Sequence, residues 1–200
     1  MDWSPFNLKT IATSSIDSTV SIWDVESQNV LTQLVAHENS SVHDIQFTEN
    51  DRFCTVGKEG SVRLFDLRQL ESSSIIYETE NREPLLKISG NVSNINQLAI
   101  VKRNSNEVIL LDQRKPQKVV NRLKQSGMVN AICWHPIEGQ NKLCTVSNDG
   151  RVLIYDMNTS EEDAQLCYEG GQKINNCAWG QASSNWIGVV YDSKVEALKL

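Results

Sequence analysis

Two short boxes in the chain combine a carboxylate and a guanidinium at one spacing, Phe65-Asp66-Leu67-Arg68 and Leu111-Asp112-Gln113-Arg114, with the arginine two residues after the aspartate in each. Arginine carries a planar fork of donors that grips a carboxylate or a row of carbonyls and stacks on aromatic rings. Such a box can close on itself as a local Asp–Arg contact, or it can offer its guanidinium to another molecule. Recognition, rather than bond-breaking, is the chemistry this spacing suits.

Residues for catalysis are sparse. The three histidines are His37, His43 and His135. His37 reads as a hydrogen-bonder in a loop, His135 before Pro136 as the end of a strand, and His43 as an exposed strand position without an evident partner. The five cysteines, Cys54, Cys133, Cys144, Cys167 and Cys177, are odd in number, scattered and never spaced Cys-x-x-Cys, so neither a disulfide framework nor a metal motif is legible. Cys54 and Cys144 fall within apolar runs, where a reduced cysteine packs as a small hydrophobe. Gly57-Lys58-Glu59-Gly60 lacks the spacing of a phosphate loop and reads as a hairpin turn. No Gly-x-Ser-x-Gly elbow occurs. The acidic run Glu161-Glu162-Asp163 beside Ser160 reads as a solvated loop, and Glu71-Ser72-Ser73-Ser74 as a flexible connection or a phosphorylation site. The expectation is a chain without catalytic residues, metal or cofactor, and not an enzyme.

Composition narrows the partners. Nineteen Lys and Arg stand against 25 Asp and Glu, a formal net charge of -6 in 200 residues. That field repels polyanions, and no basic run is present to concentrate phosphate affinity, so direct nucleic-acid binding is not expected. No apolar stretch approaches the roughly 18 residues of a membrane span. The N-terminal Met1-Asp2-Trp3-Ser4-Pro5 lacks the basic and apolar regions of a secretory signal. The expected location is cytoplasmic and nuclear.

The elements that carry these residues repeat. Asp17-Ser-Thr-Val-Ser-Ile-Trp23-Asp24, Glu59-Gly-Ser-Val-Arg-Leu-Phe65-Asp66 and Asp149-Gly-Arg-Val-Leu-Ile-Tyr155-Asp156 share a turn residue, a β-branched residue three later and an aromatic followed by Asp. Asn106-Glu-Val108-Ile-Leu-Leu111-Asp112 and Asp192-Ser-Lys-Val195-Glu-Ala-Leu198 are weaker copies. The aromatic-equivalent positions 23, 65, 111, 155 and 198 are separated by 42, 46, 44 and 43 residues. Each unit also carries two earlier β-forming runs, such as Val42–Phe47 and Arg52–Val56, or Val129–Trp134 and Lys142–Val146. Ile174–Trp179 and Trp186–Val190 do the same in the last. Short runs of β-formers between turn residues, with no sustained helical period, predict an all-β chain. The units are expected to end near residues 25, 67, 113, 157 and 200 of one domain spanning 1–200.

A period of roughly 40 to 45 residues with an aromatic-Asp ending resembles the WD-repeat β-propeller, which has four strands per blade. The resemblance implies a partial propeller of about five four-stranded blades out of seven, the chain opening in a strand at Asp2-Trp3 and stopping at the end of a third strand. It also implies a buried hydrogen-bonded set in each blade, made of a turn Asp, a strand Ser or Thr, a loop His and the repeat Trp. Asp17, Trp23 and either Thr13 or Ser15 match in the first unit, with Asp24 closing the repeat. In the second unit His37 is present, but Glu59 and Phe65 replace Asp and Trp, so that set is expected to be incomplete. Asp149, Tyr155 and Asp156 occupy the corresponding places in the fourth.

The wording of the repeats carries a closer resemblance. Ala12-Thr-Ser-Ser-Ile-Asp17, Ile22-Trp-Asp24, Gln33-Leu-Val-Ala-His37, Gly60-Ser-Val-Arg-Leu-Phe-Asp-Leu-Arg68, Pro84-Leu-Leu86 and Ile174-Asn-Asn-Cys-Ala-Trp179 resemble the anthocyanin-regulator family of WD-repeat proteins, which includes the plant transparent-testa-glabra proteins and an animal cullin-ligase-associated factor. The third unit departs from it, with Lys87-Ile-Ser-Gly-Asn-Val-Ser-Asn94 where a Trp-containing strand is expected. What the resemblance implies is a non-enzymatic scaffold that assembles transcription factors or protein kinases through protein contacts alone, without a small-molecule substrate. The boxes at Asp66 and Arg68 and at Asp112 and Arg114 resemble those by which WD-repeat substrate receptors dock onto the adaptor of cullin ubiquitin ligases. A substrate receptor of such a ligase is therefore the alternative reading. An enzyme with a central-channel active site would need converging polar groups that the sequence does not display.

Overall fold

Turn residues cut the chain into segments too short for helices, and β-branched or aromatic residues fill what lies between them. The computed structural model describes residues 1–159 and 164–200; the acidic run 161–163 and Ser160 lie outside the described residues. Every regular element among the described residues is a strand. Strands β1 (Asp2–Trp3), β2 (Thr10–Ser14), β3 (Thr19–Asp24) and β4 (Asn29–Val35) form the first sheet, and β5 (Val42–Glu49), β6 (Arg52–Gly57), β7 (Ser61–Asp66) and β8 (Gln69–Glu78) the second. The third holds β9 (Leu85–Gly90), β10 (Gln97–Lys102), β11 (Glu107–Asp112) and β12 (Val119–Lys124). The fourth is built of β13 (Val129–Trp134), β14 (Lys142–Ser147), β15 (Arg151–Asp156) and β16 (Gln165–Glu169), and a fifth of β17 (Asn176–Trp179), β18 (Trp186–Val190) and β19 (Val195–Lys199). Strands follow one another in chain order within each sheet. This is the all-β architecture of WD-repeat propeller blades.

Each of the first four sheets runs one strand past its repeat Asp, because a further strand pairs with the third, whereas the fifth has three strands. That pairing is broken by register shifts at Ile22/Trp23, Val62/Arg63, Leu110/Leu111 and Val152/Leu153. Bulges at these points increase the local twist. The polar stretch 71–74 is part of strand β8, with Ser73 opposite Phe65 and Ser74 opposite Leu64, so it is paired backbone rather than a loose connection. The last unit's first strand starts at Asn176, two residues later than Ile174.

The chain divides into two compact units, residues Met1–Ile88 with Asp112–Lys118, and Ser89–Leu111 with Val119–Leu200. In the first, Ala12, Val20 and Ile22 of the first sheet pack on Ile45, Phe47 and Phe53 of the second. Phe53 is wholly buried, with Phe65 stacked on it at 5.1 Å between ring centroids; burying such a side chain contributes roughly 1.5–3 kcal/mol. In the second unit, Val101, Val108 and Leu110 pack on Trp134, Leu143 and Tyr155. On the other side of the fourth sheet, Cys144, Val146 and Ile154 meet Cys177, Ile187 and Val189. Strands covered on both faces lose the alternation of a one-sided sheet. Thus β6 and β14 are buried along nearly their whole length, while the outer β4 is mostly exposed.

Candidate interaction site

The turn between the second and third strands of a sheet sets the polar network. In the second sheet Glu59 occupies it. The His37 ring is fully buried, with Nδ1 hydrogen-bonded to Glu59 Oε1 and Nε2 sharing a bond of 2.7 Å with the Thr55 hydroxyl. Ser61 Oγ donates to the same Glu59 oxygen at 2.6 Å, and the Glu59 backbone N–H donates to Ser40 Oγ at 3.1 Å. Burial pushes the Glu59 carboxyl up, but the bonds from His37, Ser40 and Ser61 outweigh it and bring the pKa down to about 2. A carboxylate only accepts, so Nδ1 carries the proton of this bond. The set is incomplete as expected at its aromatic member, since Phe65 stacks on Phe53 and takes no part, but Glu59 reaches His37 where a shorter Asp is usual.

The first sheet differs in the opposite sense. Trp23 Nε1 donates to Thr13 Oγ1 at 2.9 Å, so Thr13 and not Ser15 is the strand partner. Ser15 Oγ instead accepts the Asp17 backbone N–H at 3.4 Å. Asp17 accepts from the Thr19 hydroxyl at 2.6 Å, and no described histidine covers it. The set expected to be buried is open to solvent, with Asp17 exposed and Trp23 38% exposed. Thr13→Val is accordingly expected to lower stability by no more than about 1 kcal/mol in urea unfolding, as for one solvent-competed hydrogen bond.

In the fourth sheet Ser147 donates to Asp149 Oδ1, and Ser126 Oγ donates to Asp149 Oδ2 at 2.8 Å. Gln125 takes the place of the loop histidine and accepts from the Thr145 hydroxyl at 3.3 Å. Only the alignment of Thr145 with Thr55 in the repeat could have pointed to it. Tyr155 is buried among apolar neighbours rather than joined to the polar set. His43, expected on an exposed strand position, is half-buried and donates from Nδ1 to the Leu85 carbonyl at 2.6 Å.

The repeat aspartates have a common local task. Asp24, Asp66, Asp112 and Asp156 each accept a backbone N–H of the turn that follows, from Ser27, Arg68, Arg114 and Asn158 at 2.7, 3.0, 3.0 and 2.9 Å. Short carboxylates that bond forward along their own backbone favour such turns. At Asp66 and Asp112 the arginine two residues later adds a two-pronged contact. Arg68 Nε lies 2.8 Å from Asp66 Oδ1 and its Nη2 2.5 Å from Oδ2. Arg114 repeats this on Asp112 at 2.9 and 2.7 Å. The guanidinium holds Asp66 well below the usual carboxylate range and Asp112 down to about 2. Both arginine side chains remain open to water, 64% and 61% exposed, and their forks use Nε and Nη2 only. Exposed pairs add little to stability because water screens them. Their consequence is orientation: a flexible side chain is held in one geometry with donors facing outward.

Asp66, Arg68, Asp112 and Arg114 all fall in the first unit. The turn bearing Arg114 is tied to β8, since Gln117 N–H donates to the Ile76 carbonyl at 2.7 Å and Gln117 Oε1 accepts from Glu78 N–H at 3.1 Å. Arg52 joins the first box alone, donating to Asp66 Oδ2 at 3.2 Å.

Residues 28–66 match the model described as WD domain, G-beta repeat. The whole chain is 39% identical over 204 aligned positions to the DDB1- and CUL4-associated factor 7 homolog of Dictyostelium discoideum, of whose length it spans 62%. It is 36% identical over 80% of its length to WD repeat-containing protein YPL247C of Saccharomyces cerevisiae, covering 34% of that protein. To the GATOR2 complex protein WDR24 of Xenopus laevis it is 25% identical over 93% of its length, covering 24% of that relative. Serial antiparallel sheets, a repeat Asp at the end of the third strand in the first four of them, and this similarity from end to end give the chain the fold of WD-repeat β-propeller blades, with a matched WD repeat at residues 28–66.

Proposed function

We propose that this chain is part of a non-enzymatic scaffold that holds protein partners together, and that it reaches one of them through Arg68 and Arg114. The observation that carries the reading is the matched pair of Asp–Arg forks, each exposed and each held on its own strand-end turn. Holding a guanidinium in place before binding reduces the ordering lost on association. Two such groups on one unit suit an acceptor-rich surface of a protein partner. The Dictyostelium relative is named for association with DDB1 and CUL4; in this reading a ligase adaptor of that kind meets the two arginines. Transcription factors or protein kinases occupy other faces, in the cytoplasm and nucleus. A scaffold of this sort works by raising its partners' concentration for one another.

In a pulldown with the full-length protein, Arg68→Ala with Arg114→Ala is expected to weaken adaptor capture about tenfold or more, as arginine anchors do at interfaces. The circular dichroism spectrum should stay as it was, because neither fork is part of a core. Capture at the original level would reject the assignment. The same relative supports a second reading, a substrate receptor of a cullin ubiquitin ligase. It requires that a bound partner be stabilised when the cullin is inhibited, whereas a scaffold alone leaves partner abundance unchanged.

A further inference from the structure

The second unit brings together three thiols that the chain order keeps apart. Cys133 stands on β13 directly opposite Cys144 on β14, and Cys177 approaches from β17 of the next sheet, its Sγ 3.5 Å from that of Cys133. All three Sγ atoms lie within 4.8 Å of one another. Cys144 and Cys177 are buried and Cys133 is half-buried, among Ala131, Val146, Ile154 and Ile187. Cys54 belongs to the first unit and Cys167 lies outside the trio.

Thiolate–metal bonds of about 2.3 Å put the sulfurs of a trigonal site roughly 4 Å apart, which is the scale of this cluster. Among the described residues no fourth His, Cys, Asp or Glu joins the three at that range. Closed zinc sites take four ligands. Soft sulfur donors also select Cu(I), a filled-shell ion that accepts three. We propose that Cys133, Cys144 and Cys177 form a three-thiolate site for one Cu(I) ion. Binding is ligand exchange without electron transfer: three S–H protons leave to solvent, three S–Cu bonds form, and copper stays monovalent.

A cavity lies beside the cluster, lined by neighbours of the three cysteines and by none of the three themselves. Residues two apart on a strand share a face, so His135 follows Cys133 and Trp179 follows Cys177, while Ile154 pairs with Cys144 across the sheet. These three residues line a cavity of about 580 Å³ together with Cys167 and Lys142. The His135 ring meets Trp179 edge-on, with 4.6 Å between ring centroids.

The test uses the full-length protein, reduced and free of oxygen, titrated with the acetonitrile complex of Cu(I) against bathocuproine disulfonate, with Zn(II) in a parallel arm. One equivalent of Cu(I) should be retained, and X-ray absorption should show three sulfur neighbours at about 2.3 Å without nitrogen or oxygen. Cys133→Ala and Cys177→Ala should each weaken Cu(I) retention at least about 100-fold, beyond what loss of an outer-shell partner does; Cys54→Ala and Cys167→Ala should not. No retention, fewer than three sulfurs, dependence on Cys54 or Cys167, or tighter holding of Zn(II) would overturn the assignment. If the alanine variants fail to fold, the sulfur count on the unaltered protein still decides.

Discussion

Gly150→Ala is expected to lower stability by about 4 kcal/mol or more, a loss that few single substitutions reach. Gly150 has φ +80°, and a Cβ there would stand 2.2 Å from the Gly170 carbonyl oxygen and 2.8 Å from that of Gln172. Both are backbone atoms. Gly170 N–H donates to the Gly150 carbonyl at 2.8 Å, so relieving the clash means displacing the chain next to β16. The left-handed backbone alone accounts for roughly 1–2 kcal/mol. Gly139→Ala supplies the comparison, since Gly139 has φ +84° but nothing within 4 Å of a Cβ; it should lose only that smaller amount. Urea midpoints followed by near-ultraviolet dichroism measure both. Equal losses would show that strain in the turn, and not the carbonyl contacts, sets the effect.

His37→Ala should lower stability by about 2–3 kcal/mol, the upper part of the range for removing one partner of a buried hydrogen bond, because the Glu59 carboxylate left behind is partly open to water. It empties a fully buried site and removes bonds from both Thr55 and Glu59. The pH dependence identifies the cause. Glu59 titrates at about 2 in the folded chain against an ordinary value of 4.5. A depressed carboxyl contributes stability that is present above its unfolded pKa and lost as pH falls through the folded one. The unaltered protein should therefore lose this contribution between about pH 4.5 and 2, and the loss should shrink when His37 is gone. Thermal melts across that window follow it. An unchanged acid slope in the variant would mean that His37 does not set the Glu59 carboxyl.

Strand segmentation was legible because its signals are local. The repeat Asp bonds to a backbone two or three residues on, and the Asp-Gly turn needs a left-handed residue. Both stand in a few consecutive letters, and the series of sheets followed from their spacing. The Asp66–Arg68 and Asp112–Arg114 forks were legible for the same reason. The polar sets were read less well, because their closure depends on side-chain reach across strands. Glu59 replaces Asp and still meets His37, Gln125 serves where no histidine stands, and Trp23 with Thr13 lies open although its residue types suggested burial.

What the sequence by itself determined is the repeating β unit, its turns and the residues facing outward at the end of each third strand. Tertiary structure alone decided which faces meet. Cys133, Cys144 and Cys177 have no common spacing, yet stacking the fourth sheet against the fifth brings their sulfurs within 4.8 Å. Pairing within a strand hairpin is written in neighbouring residues, whereas contact between sheets depends on how their twisted apolar faces interlock over more than 40 residues of intervening chain.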